Sequence, residues 1–185
     1  MSDPTAADGR AARLAERIAE RELDLLFVSD LVNIRYLTGF TGTNGACLVG
    51  ASERLFYTDF RYTERAEEEV GAGWERPEAE RDFLPQIARA MKGRVGFEDH
   101  KLSVRQRAKL GEAVGDDVEL VAAGELVEGL RAVKDAAEVE RIAAAAELAD
   151  EVYRWAIDRG FTGRREIDVA RDIQARMREL GAEPS

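Results

Sequence analysis

Short apolar runs bounded by turn-forming residues alternate along the chain with stretches of helical period, and this alternation most limits the fold. Leu25-Leu26-Phe27-Val28 is stopped by Ser29-Asp30. Ala46-Cys47-Leu48-Val49 and Leu55-Phe56-Tyr57, joined through Gly50-Ala51-Ser52, read as a hairpin, and Val95-Gly96-Phe97 and Val118 to Val121 add two further strands. Between them, residues 11–22 predict a charged amphipathic helix with Leu14 and Ile18 at spacing four. Tyr62, Ala66 and Val70 share one face of another helix, whose opposite face carries Glu64, Glu67, Glu68 and Glu69 and reads as solvated. Phe83 to Met91 is helical, and Ser103 to Val114 opens on a capping box from Ser103 to Gln106. Strands alternating with helices imply an α/β domain whose sheet is covered by helices, with the hairpin making that sheet mixed.

After Gly129 the pattern changes. From Asp135 onward no strand-like run remains, and two long helical patterns flank Gly160-Phe161-Thr162-Gly163. Asp135 and Glu138 make a capping-box start, with Val139, Ile142, Ala146, Ala149, Tyr153 and Ala156 on one stripe. Ile167, Ala170, Ile173 or Gln174, Met177 and Leu180 repeat the pattern. Two such helices cover each other only in part, so the expected division is residues 1–130 and residues 131–185, the second an incomplete domain prone to self-association.

Composition narrows the functional classes. With 27 Lys and Arg against 37 Asp and Glu, the net charge of −10 argues against nucleic acid and anionic membrane as partners. No apolar run is long enough to span a bilayer. A single cysteine, Cys47, flanked by Ala46 and Leu48, reads as a buried hydrophobe in a reducing, cytoplasmic setting. Serine and cysteine hydrolase arrangements require a histidine, so within this chain each would have to use His100. That residue lies in Glu98-Asp99-His100, which reads as a solvated strand-to-helix loop rather than a ligand cluster.

Two segments are candidates for function. Tyr36-Leu37-Thr38-Gly39-Phe40-Thr41-Gly42-Thr43-Asn44-Gly45 predicts a tight loop braced by side chains. It matches neither nucleotide-binding glycine pattern, and no Lys follows. Phe40 is either buried beneath the loop or offered as an apolar wall with Asn44 as a polar anchor. In Thr58-Asp59-Phe60-Arg61-Tyr62, Thr58 or Asp59 can cap the following helix. Arg61 in its first turn opposes the helix dipole and is either a surface ion pair or a substrate-carboxylate contact.

These segments, taken in order with Val95-Gly96-Phe97-Glu98, Leu130-Arg131-Ala132-Val133-Lys134-Asp135 and Glu138-Val139-Glu140-Arg141-Ile142, resemble the start of the Xaa-Pro aminopeptidase/prolidase/creatinase family. Gly160-Phe161-Thr162, Ile167-Asp168-Val169-Ala170 and Gly181 to Ser185 are similar to the first helices of its catalytic domain. The resemblance implies a creatinase/prolidase N-terminal domain with a ribonuclease-H-like mixed sheet, then two long helices of a truncated pita-bread domain. In the full-length enzyme it implies two divalent metal ions, manganese or cobalt, which activate water against the peptide bond before proline. It also implies a homodimer in which Phe40, Thr41, Thr43 and Asn44 gate substrate in trans, with Arg61 as a further candidate.

The family's metal ligands and catalytic histidine match positions beyond Ser185, so the resemblance assigns no catalytic or metal-ligating residue to this chain, and His100 matches none of them. The expectation is a dimerising, substrate-gating portion, inactive alone, of an enzyme acting on proline-containing peptides. Two alternatives keep the architecture: a non-catalytic protein-binding module, as in histone chaperones, and a creatinase- or ectoine-hydrolase-type activity.

Overall fold

The computed structural model describes residues 4–77 and 82–182. Glu183 to Ser185, the end of the segment matched to the family, lie outside the described residues. The chain divides between Val133 and Lys134 into two compact units.

In the first unit, among the described residues, five strands form one sheet in the order β3-β2-β1-β4-β5. They are β1 (Leu25–Val28), β2 (Gly45–Gly50), β3 (Arg54–Thr58), β4 (Gly93–Phe97) and β5 (Val118–Ala122). β1, β2 and β3 run antiparallel in sequence, whereas β4 and β5 are parallel to β1. β1 lies at the centre and is buried on both faces, as its unbroken apolar run requires. Leu26 and Val28 join Leu14, Ile18, Ile34, Phe40 and Val127 on one face. Leu25 and Phe27 join Ile87, Met91 and Leu110 on the other. The sheet is thus mixed and covered on both faces, as the apolar pattern predicts.

α1 (Pro4–Glu20) begins earlier than residue 11. It lays Ala11, Leu14 and Ile18 into the core. α2 (Leu31–Thr38) corrects the reading of Tyr36 to Gly45 as loop throughout, since Tyr36 to Thr38 form its last turn. Asp30 caps its start and Gly39, at φ 85°, ends it in the left-handed conformation. Eight residues rich in β-branched and polar types carry little intrinsic helicity, so burial of Ile34 and Leu37 holds this helix in place.

The remaining helices of this unit are α3 (Thr63–Glu69), α4 (Leu84–Ala90), α5 (Val104–Ala113) and α6 (Leu126–Ala132). α5 carries the Ser103–Gln106 capping box. Tyr62 precedes α3 rather than belonging to it, in a 3₁₀ turn over Phe60–Tyr62.

Within the Glu98-Asp99-His100 segment, Asp99 and His100 are exposed turn residues as expected of a solvated loop, but Glu98 is not. Glu98 is 1% exposed, and its carboxylate accepts from the Ser29 and Asp30 backbone N–H groups at 2.7 and 2.8 Å. The Asn33 amide donates to Glu98 at 2.6 Å and to Glu128 at 2.8 Å, and the Arg131 guanidinium donates to Asn33 at 2.9 Å. His100 closes the network at 3.0 Å from Glu128. Burial pushes the Glu128 carboxyl up, but hydrogen bonds from Asn33, its own backbone and His100 outweigh it and leave the group below its ordinary value. This network seats the start of α2, whose far end opens into the glycine- and threonine-rich loop.

The second unit comprises α7 (Ala136–Arg159), opened by the Asp135–Glu138 capping box, and α8 (Glu166–Glu179). Gly160 and Gly163 between them both take positive φ. Val152 and Ala156 are the buried residues of α7. Val139, Ile142 and Tyr153, on the stripe read as apolar, are more than half exposed.

Candidate functional site

The loop Gly39–Asn44 and the turn after β3 meet at one end of the hairpin, because Gly45 pairs with Thr58 in the last rung of the β2–β3 ladder. Thr58 reinforces the junction by donating its hydroxyl to the Asn44 carbonyl at 2.6 Å. Beneath the loop, Phe40 is 1% exposed, with its ring 4.8 Å from Phe56 and edge-on to Tyr62 at 5.8 Å. Gly42 crosses directly over these rings. A Cβ there would stand 2.2 Å from Phe40 and 2.9 Å from Tyr62, so the loop's path requires glycine.

Each remaining candidate is tied down from the β3 side. Thr41 donates both its backbone N–H and its hydroxyl to Glu69, each at 2.7 Å. Thr43 and Tyr62 share a hydroxyl–hydroxyl bond of 2.6 Å, and that bond is the main reason the Tyr62 phenol sits below its usual range. The Asn44 amide donates to Asp59 at 2.5 Å. Asp59, 2% exposed, caps the 3₁₀ turn by accepting from the Arg61 backbone, and it receives Arg61 Nε and Nη2 at 2.8 and 2.7 Å. That bidentate pair is the chief cause of the depressed Asp59 carboxyl and of the raised Arg61 guanidinium.

Phe40, Thr41, Thr43, Asn44 and Arg61 thus belong to one assembly. Phe40 supports it from below, and the others lie above or beside it. Asp59, Glu69 and Tyr62 are equally part of it, although the sequence reading singled out none of them as site residues. A cavity of about 540 Å³ is lined by Asn44, Asp59, Phe60 and Arg61. A second, of about 660 Å³, adjoins the other flank of Phe60 and reaches Arg76 and Pro77. Phe60 itself is 63% exposed.

Nothing in this assembly has the composition of a nucleophile–base pair. Among the described residues, no group of three His, Cys, Asp or Glu side chains gathers as a cation site. Glu98 and Asp59 are instead engaged by N–H donors. These residues do not fit the pair of divalent ions that the resemblance implies. No helix among the described residues is long and apolar enough to cross a membrane.

A family model described as the Creatinase/Prolidase N-terminal domain matches residues 10–133. The chain is 33% identical over 177 residues to an uncharacterized peptidase, YqhT, of Bacillus subtilis (strain 168), a match covering 94% of this chain and 50% of that protein. Its fold superposes on an Xaa-Pro dipeptidase from Bacillus anthracis with a TM-score of 0.86 at 29% identity, over 95% of this chain and 50% of that one. It also resembles the N-terminal domain of the cytoplasmic peptidase PepQ from Mycobacterium tuberculosis, with a TM-score of 0.60 at 36% identity over 66% of this chain and 98% of that one. The chain spans about half the length of the curated relatives it matches.

Proposed function

Since the chain belongs to the creatinase/prolidase N-terminal domain family, we propose that it supplies the N-terminal, dimerising and substrate-gating part of a metal-dependent cytoplasmic enzyme that hydrolyses the peptide bond before proline. The two units correspond, on this reading, to that N-terminal domain and the opening helices of the catalytic domain. The metal ions would be held by residues of the longer protein, and this chain's contribution is a preformed wall. The observation that carries the proposal is the bracing of Thr41, Thr43 and Asn44 by Glu69, Tyr62 and Asp59, three separate anchors along one short loop. Such bracing removes in advance the ordering cost of closing over a peptide. Placed at a partner's active site, the wall would exclude long or badly oriented peptides.

The test is a mixed dimer of the longer protein in which one subunit carries a metal-ligand variant and the loop variant is placed either on that same subunit, where it faces the intact active site of the other, or on the intact subunit. Asn44→Ala and Thr43→Ala are expected to lower kcat/KM for an Xaa-Pro peptide by about tenfold when they face the intact active site, and to be silent on the opposite subunit. Equal effects from either subunit would rule out gating in trans. Equal cleavage of peptides with and without proline in the second position would rule out the Xaa-Pro assignment.

A further inference from the structure

The two edges of the sheet are finished differently. At β3, Glu75 closes part of the edge, accepting from the Phe56 backbone N–H at 2.9 Å and donating to the Arg54 carbonyl at 2.8 Å. At β5, the other end of the strand order, no further strand pairs among the described residues. The Ala123 N–H donates to the Phe97 carbonyl at 3.0 Å, and this fixes the alternation along β5. Glu119, Val121 and Ala123 turn their backbone groups toward β4, whereas Val118, Leu120 and Ala122 turn theirs away from it. The Val118 N–H is taken by the Gly115 carbonyl at 3.1 Å. The Val118 carbonyl, both backbone groups of Leu120 and the Ala122 N–H therefore form an outward row. Val118 to Ala122 holds no proline, no lysine and no bulge, the usual obstacles to edge pairing. Its obstacle is acidic charge. Glu119 on the strand, Asp116 and Asp117 before it and Glu125 after it are all exposed. Arg94 answers Glu119 at 3.3 Å and also faces Glu22 at 3.9 Å, so it offsets only part of this charge. Such a border repels a second copy of a chain whose net charge is −10, and it favours a strand of the opposite sign.

We propose that the free edge of β5 is a docking site for an extended basic segment of a protein partner, which adds a strand to the sheet. In an antiparallel pairing, the partner residue opposite Leu120 exchanges two backbone hydrogen bonds with it. The next residue of the segment stands opposite Glu119, and the one two positions further on reaches the Asp116–Asp117 turn. These are the positions for lysine or arginine. On the alternate face, Val118 and Leu120 are only partly buried over the core, so the residues between the cations are apolar and β-branched. Backbone bonds supply the affinity of such a complex, and the alternate side chains supply its selectivity. The site lies at the opposite edge of the sheet from β3 and does not depend on the gating reading.

The test is a titration of the ¹⁵N-labelled chain with the peptide acetyl-Val-Thr-Val-Lys-Val-Lys-amide, followed at the Leu120 and Ala122 backbone amide resonances. Expected are saturable shifts and slowed hydrogen exchange at these two amides. Binding should weaken about tenfold when both lysines are replaced by glutamate, through the reversed charge. It should weaken about tenfold when the valine opposite Leu120 is replaced by proline, which has no N–H to donate. Asp117→Asn with Glu119→Gln, both at exposed positions, should weaken it about fivefold. Unchanged amide resonances of β1 and β2 verify that this double variant stays folded. Absence of saturation, equal binding of the glutamate peptide, equal binding of the proline peptide, or a double variant that binds as well as the parent would each overturn the proposal. Shifts of the Leu120 and Ala122 amides on raising the protein concentration alone would make a second copy the occupant and overturn it as well.

Discussion

The buried carboxylate of Glu98, at the end of β4, accepts a 2.6 Å hydrogen bond from the side chain of Asn33, a residue 65 positions earlier on α2. With the Ser29 and Asp30 N–H groups on its other oxygen, Glu98 acts as a long-range cap that joins the central strands to the helix leading into the loop. Glu98→Ala leaves these donors unanswered inside the protein and is expected to cost about 3 kcal/mol or more, with Glu98→Gln costing less. Urea unfolding measures both; a loss below about 1 kcal/mol for the alanine variant would show that water replaces the carboxylate without penalty.

The loop's route over Phe40 predicts a different kind of sensitivity. Gly42→Ala drives a methyl group into the Phe40 and Tyr62 rings and should cost about 1–3 kcal/mol through overpacking. Phe40→Ala, which empties the space, should cost about 3–5 kcal/mol. If Gly42→Ala unfolds at the parent's urea midpoint, the loop does not rest on these rings in solution.

Acid should release the Arg61 turn. The Asp59 carboxyl lies lower in the folded chain than its ordinary value, so its contribution is complete above that value and vanishes as pH falls through the depressed one. Glu53, held at about 2 first by the Lys92 ammonium and then by the Ser52 backbone N–H, follows the same sign, but as an exposed pair it contributes little. Replacing Asp59 with Asn should therefore flatten the acid limb of a stability-against-pH curve. An unaltered limb in D59N would contradict the depressed carboxyl.

On α7, Val139, Ile142 and Tyr153 present apolar surface on one stripe. In the isolated chain this face should drive self-association, visible in sedimentation velocity as a concentration-dependent shift. Ile142→Glu with Tyr153→Glu should abolish it, and a strictly monomeric parent at high concentration would count against it.

Much of the sheet could be read directly. β1 has the bounds of its apolar run, because a strand buried on both faces leaves an unbroken hydrophobic word. The hairpin was equally legible. α2 was not, since its eight residues are helical through burial of Ile34 and Leu37 rather than through propensity. At the loop, composition was enough to mark Phe40 and Asn44. Glu69 was hidden because nothing local distinguishes it from Glu67 and Glu68; its role depends on Thr41, 28 positions away. Glu98 was misread for a similar reason: a charged residue after a strand looks solvated until the donors of another element are brought to it.

Cys47, 0% exposed in the middle of β2 and the chain's single thiol, lies between Leu55–Phe56 on one side and Phe27–Val28 on the other. Burial, and then the nearby Glu98 charge, keep it protonated. Its side chain packs into the core face that holds Leu14, Ile34 and Phe40, so a thiol reagent can reach it only after the helices covering that face have opened. The rate of its labelling is therefore a clock for opening of that face of the core, and the protein carries that probe without any engineered cysteine.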